Sequence, residues 1–151
     1  MHRLPVLSLL ISILACGGDD NGTEPGVTNV SGSWSLSISN MTGGGATCST
    51  STPVQLVLQQ NTTTLVGSFS GGGVLTCTAP SGSSSSPIPS GSVVNGQING
   101  NEVSFDLGST SFHQTGTVTG SSMGGTATWT FPTGGASTFG SLSGSWTATR
   151  Q

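Results

Sequence analysis

The sequence predicts an all-β fold, an eight-stranded antiparallel up-and-down β-barrel, with a two-sheet β-sandwich as the alternative. Three observations carry this reading. Apolar and small polar residues alternate with a period of two along most of the chain, and no stretch shows a helical period. Turn-forming residue pairs separate the alternating runs at spacings that keep apolar faces together. Glycine recurs in the middle of the inward rows, where a strand bends at a barrel corner. The barrel is preferred because hairpin-linked neighbours need no crossover, and because joining the first strand to the last removes both raw edges. A sandwich would suit the same short, serine-rich strands.

In the first strand, Trp34, Leu36 and Ile38 alternate with Ser33, Ser35, Ser37 and Ser39. Val54, Leu56 and Leu58 give the second strand and Leu65, Gly67 and Phe69 the third. A turn at Thr62 and Thr63 then pairs Leu58 with Gly67 and Leu56 with Phe69. The same register sets Cys48 opposite Cys77. The stretch TAPSGSSSSPIPS, within residues 78–92, reads as a long low-complexity loop at one barrel end. Val94, Gly96 and Ile98 form the fourth strand and Val103, Phe105 and Leu107 the fifth. With Gly100 and Asn101 as the turn, Ile98 meets Val103, Gly96 meets Phe105 and Val94 meets Leu107. The sixth strand carries Phe112, Gln114, Gly116 and Val118, and the seventh Met123, Gly125, Ala127, Trp129 and Phe131. A turn at Gly120 and Ser121 pairs Val118 with Met123, Gly116 with Gly125 and Phe112 with Trp129. Leu142, Gly144, Trp146 and Ala148 complete the set.

Ahead of this domain, Arg3 precedes twelve mostly apolar residues, Leu4 to Ala15, too few to cross the roughly 30 Å hydrocarbon core as a helix. Ile13, Leu14, Ala15 and Cys16 resemble the lipobox of bacterial lipoproteins. The resemblance implies cleavage before Cys16 and lipidation of its thiol. Residues 1–15 are then a lipoprotein signal peptide, 16–29 a flexible acidic and glycine-rich tether, and 30–151 a single β-barrel domain. It also implies a bacterial cell-envelope protein whose partner is the membrane, reached through the lipid anchor. Gly17 in place of aspartate favours the outer membrane or cell surface over the inner membrane. With Cys16 lipidated, Cys48 and Cys77 remain as a pair, and in an oxidising compartment a disulfide between them is expected.

Composition narrows the functions. The chain has two Lys and Arg residues against five acids, and Asp19, Asp20 and Glu24 lie in the tether. Without a basic stripe to displace counterions, a nucleic-acid partner is not expected. Past the signal peptide the only arginine is Arg150, at the end of the last strand, while Gly32, Ser33 and Trp34 form a G-x-W at the start of the first. This combination resembles the calycin superfamily of lipocalins, fatty-acid-binding proteins and avidins. The resemblance implies that Trp34 closes the barrel floor and that Arg150 packs on it, a cation–π contact worth about 0.5–2 kcal/mol. Eight strands give an interior that side chains either fill or leave open for one small ligand. Leu36 stands where an avidin carries a polar ligand contact, and the chain has no tyrosine, so biotin is not implied.

The expected lining is Trp34, Leu36, Phe69, Phe105, Phe112, Gln114, Trp129 and Trp146, with Gln114 as the one polar member, so the expected ligand is small and apolar. The alternative is a structural or interaction module of the cell surface with a filled core. Enzymatic activity, a cofactor and a metal are not expected. Parity turns Glu102, Asp106 and His113 outward. Glu102 and Asp106 lie about 13 Å apart along one strand, beyond either glycosidase geometry. Asp106 and His113 become cross-strand neighbours and read as a solvated surface pair, short of the three or four ligands a zinc site takes. GSSMG at 120–124 has the G-x-S-x-G spacing centred on Ser122, but it reads as a hairpin turn and not as the strand, elbow and helix of a hydrolase. On the outer face Thr115, Thr117 and Thr119 lie beside Thr126, Thr128 and Thr130 as an uncharged hydroxyl grid.

Overall fold

The alternation becomes strands throughout the computed structural model, which describes residues 27–108, 111–130 and 140–151. Eleven strands follow in order: β1 (Gly32–Gly43), β2 (Ala46–Thr52), β3 (Val54–Asn61), β4 (Thr64–Ser70), β5 (Val74–Ala79), β6 (Gly82–Pro87), β7 (Gly91–Asn99), β8 (Glu102–Leu107), β9 (Phe112–Thr119), β10 (Ser122–Thr130) and β11 (Ser141–Arg150). Eight of them, β1, β3, β4 and β7 to β11, form a ring of antiparallel neighbours that closes where β11 meets β1. That seam runs from Trp34 opposite Arg150 to Ile38 opposite Trp146 and beyond. Closure excludes the sandwich. Phe131 lies outside the described residues.

The remaining strands form an arm that continues the sheet outside the ring, in the order β2, β5, β6. Its origin is a single long hairpin. The register that pairs Leu58 with Gly67 also pairs Cys48 with Cys77, but Pro53, which has no N–H to donate, separates β2 from β3, and residues 71–73 separate β4 from β5. The inner half of the hairpin joins the barrel and the outer half projects. The serine-rich stretch expected to be a loop is instead partly strand, because β6 pairs with β5 along its whole length. Its serines find hydroxyl partners there: Thr76 bonds Ser85 at 2.9 Å and Thr78 bonds Ser83 at 3.2 Å.

Turns at 62–63, 100–101 and 120–121 stand where the sequence places them, and Gly100 and Gly120 adopt the left-handed φ values of 61° and 59° that such turns favour. One register departs from expectation. Ile98 does pair with Val103, but Leu107 meets Val93 and Asp106 meets Val94. A bulge between Val94 and Gln97, with Asn95 at φ 52°, absorbs one residue and reverses the parity of the strand before it. Val93 is therefore the core residue, and Gly96 and Val94 do not meet Phe105 and Leu107.

At the floor, the Arg150 guanidinium lies 4.4 Å from the centroid of the Trp34 ring. Its Nη1 donates to Ser31 O at 2.5 Å and its Nη2 to Asn29 O at 2.9 Å, while Trp34 Nε1 donates to Val30 O at 2.9 Å. Thr28 N is also bonded to Gly100 O at 3.0 Å. Residues 28–31 therefore cross the floor and Val30 plugs it, fully buried, so fastening begins within the segment assigned to the tether.

Candidate functional site

Opposite this floor, the ends of β4, β8 and β10 and the start of β9 bring Phe69, Leu107, Trp129 and Phe112 together around a cavity of about 370 Å³. Phe112 and Trp129 are cross-strand partners and stack with centroids 5.2 Å apart and planes 25° from parallel. Leu75 of β5 and Ile88, just past β6, complete the apolar lining, with Ser86, Ser90 and Ser111 supplying hydroxyls. Ile88 N donates to Gly73 O at 2.8 Å, which fixes residues 86–90 against the arm. The arm thus roofs the mouth. None of the described lining residues is charged, so the site suits a compact neutral ligand.

Of the eight residues expected to line a binding site, Phe69, Phe112 and Trp129 meet at this cavity. Trp34, Leu36, Phe105, Gln114 and Trp146 are instead buried in the interior, away from it. Phe105 and Trp146 pack edge to face, 5.3 Å between centroids, and Trp146 Nε1 donates to Thr115 O at 3.0 Å. The Gln114 amide, oriented to satisfy its surroundings, donates to Phe105 O at 3.1 Å and Phe112 O at 3.2 Å. Its donors are spent on the barrel's own backbone. Cys48 and Cys77 form a disulfide between β2 and β5, and Cys16 lies outside the described residues.

Leu75 and Ile88 are lining residues that sequence reasoning missed. Leu75 carries a strand signal of its own in VLTC, whereas Ile88 stands alone between two prolines in the serine-rich stretch.

On the outer wall, Asp106 and His113 are cross-strand partners as expected, with His113 Nδ1 2.5 Å from Asp106 Oδ1. They are not a solvated pair. Asp106 is 4% exposed, because the bulge swings Asn95 over it and Asn95 Nδ2 donates to Oδ2 at 2.8 Å. His113 keeps a half-exposed side chain. Ser122 offers this pair no nucleophile: His113 pairs with Thr128, six residues further along β10, so about 20 Å of strand intervenes. Among the described residues no three of His, Cys, Asp and Glu group as a metal site would need. Through the Asn95–Asp106 bond the cluster pins the bulge. Asp106→Ala should cost about 2–3 kcal/mol in urea unfolding, since Asn95 and His113 would each lose a buried charged acceptor.

No protein-family model, curated protein or solved structure matches this chain. Fold and site define its class: a closed eight-stranded antiparallel β-barrel with an arm of three further strands and an apolar cavity at its mouth.

Proposed function

We propose that the protein is a bacterial envelope lipoprotein, held on the outer membrane or cell surface by an acylated Cys16, whose calycin-like barrel binds a small, uncharged, apolar molecule at its mouth without catalysing a reaction. The carrying observation is the apolar cavity of about 370 Å³ between the stacked Phe112 and Trp129 and the roof supplied by residues 86–90. The floor supports the calycin-like reading, because Arg150 over Trp34 is the arrangement that family implies. The deep interior is filled by Trp34, Trp146, Phe105 and their neighbours, so the cargo is confined to the mouth. That packing is also what favours the second reading, a structural or interaction module of the cell surface.

Titration with N-phenyl-1-naphthylamine, a neutral aromatic probe, separates the two. A fluorescence rise with a dissociation constant on the order of 1–10 μM supports a binding mouth. Trp129→Ala should weaken the probe at least about tenfold, equivalent to about 1.4 kcal/mol, without loss of the β-sheet circular dichroism. No enhancement at saturating probe would move the function to the second reading. Metabolic labelling with palmitate tests the anchor: it is expected in the parent chain and absent from Cys16→Ser.

A further inference from the structure

A second concavity, of about 580 Å³, opens on the outer wall across β7 to β10. Its floor is a place where side chains are sterically forbidden. Gly116 faces Gly125 across the β9–β10 ladder, and a Cβ on either would lie 2.2 or 2.0 Å from a backbone oxygen of the neighbouring strand. The wall bends inward there and leaves a trough outside. Gln97 and Asn99 of β7 and Glu102 of β8 form one rim, and Thr115 and Thr117 of β9 with Thr126 of β10 form the other.

All six rim side chains are exposed. None of them makes a side-chain hydrogen bond to another described residue, in contrast to the hydroxyl pairs of β5 and β6 or the Asn95–Asp106 contact. The trough therefore presents two carboxamides, three hydroxyls and one carboxylate with their full capacity to donate and accept. It contains no cation, and Arg150 is engaged at the floor of the barrel, so an anionic ligand would meet Glu102 without a counter-charge. A neutral polyhydroxylated ligand matches this inventory: its hydroxyls donate to Glu102 and exchange bonds with the amides and threonines. Its C–H face can rest on the glycine backbone and the threonine methyl groups.

We infer that this trough binds a neutral saccharide chain. The trough is distinct from the mouth cavity and independent of what the mouth holds. The test uses the full lipidated chain in detergent, titrated with maltohexaose, cellohexaose and the hexamer of N-acetylglucosamine and followed by amide NMR. The expected result is that at least one of the three shifts Asn99, Glu102, Thr117 and Thr126, with a dissociation constant on the order of 0.1–1 mM. Glu102→Gln should weaken that binding about tenfold. Thr117→Trp, which fills the trough from an exposed position, should abolish it while naphthylamine binding at the mouth persists. No shift with any of the three sugars, shifts that map elsewhere on the barrel, or undiminished binding by Glu102→Gln would each overturn the inference.

Discussion

Gly125→Ala is expected to destabilise the barrel by about 3 kcal/mol or more, which would remove more than half of a stability at the low end of the usual 5–15 kcal/mol. The added Cβ would sit 2.0 Å from Thr115 O and 2.4 Å from the Gly116 Cα. Overpacked cores usually relax by shifting side chains, which holds their cost to about 1–3 kcal/mol. Here both obstacles are backbone, and β9 cannot retreat without breaking the ladder that pairs Thr126 with Thr115 and Gly125 with Gly116. Gly71→Ala is the matched comparison, because its Cβ would meet nothing closer than 3.5 Å, an ordinary contact, so the change should stay within about 0.5 kcal/mol of the parent. Urea unfolding followed by tryptophan fluorescence measures both. A small effect at Gly125 equal to that at Gly71 would mean that β9 yields and that glycine does not enforce the corner.

Those corners were legible in the sequence because they depend on a local rule, a glycine in the inward row of an alternating strand. The floor was legible for a similar reason, since Trp34 and Arg150, the only arginine after Arg3, stand at the two strand ends that must meet. The register failed where parity itself is interrupted. Nothing in VVNGQIN says which valine faces inward, and the bulge at Asn95 decides it by taking up one residue. The burial of Asp106 follows from the same bulge, so the sequence places it beside His113 but cannot bury it. The arm escaped because serine has no apolar period, and β6 exists through β5 and not through its own pattern. At the mouth, the strand-end aromatics Phe69, Phe112 and Trp129 could be read directly, whereas Leu75 and Ile88 reach the cavity only once the arm folds over it.

Replacing Cys48 and Cys77 together by alanine should act on that arm before it acts on the ring. Their bond spans 29 residues and constrains the unfolded chain by about 3–4 kcal/mol in the chain-entropy account. It joins β2 to β5, both outside the closed ring, while the ring strands keep every pairing among themselves, including the β11–β1 seam. Without the bond, the arm is held by the short β1–β2 pairing from Met41 opposite Cys48 to Gly43 opposite Ala46, by the bonds of Thr50 and Ser49 to the Ile38 and Asn40 backbone, by its own β2–β5 ladder and by the burial of Ala46, residue 48 and Leu75. Beyond β2, where Leu75 is the one buried side chain of β5 and all of β6 is exposed, such a segment opens locally at lower free energy than the global transition. Hydrogen exchange of residues 74–87 is therefore expected to accelerate strongly while the amides of β8 to β11 remain protected. Leu75 and residues 86–90 form the roof of the mouth, so naphthylamine affinity should fall in step with the opening. Were exchange to rise evenly over arm and ring, the two would be one cooperative unit. Unchanged probe affinity in an opened arm would show that the roof contributes nothing to binding, leaving the stacked Phe112 and Trp129 to hold the ligand alone.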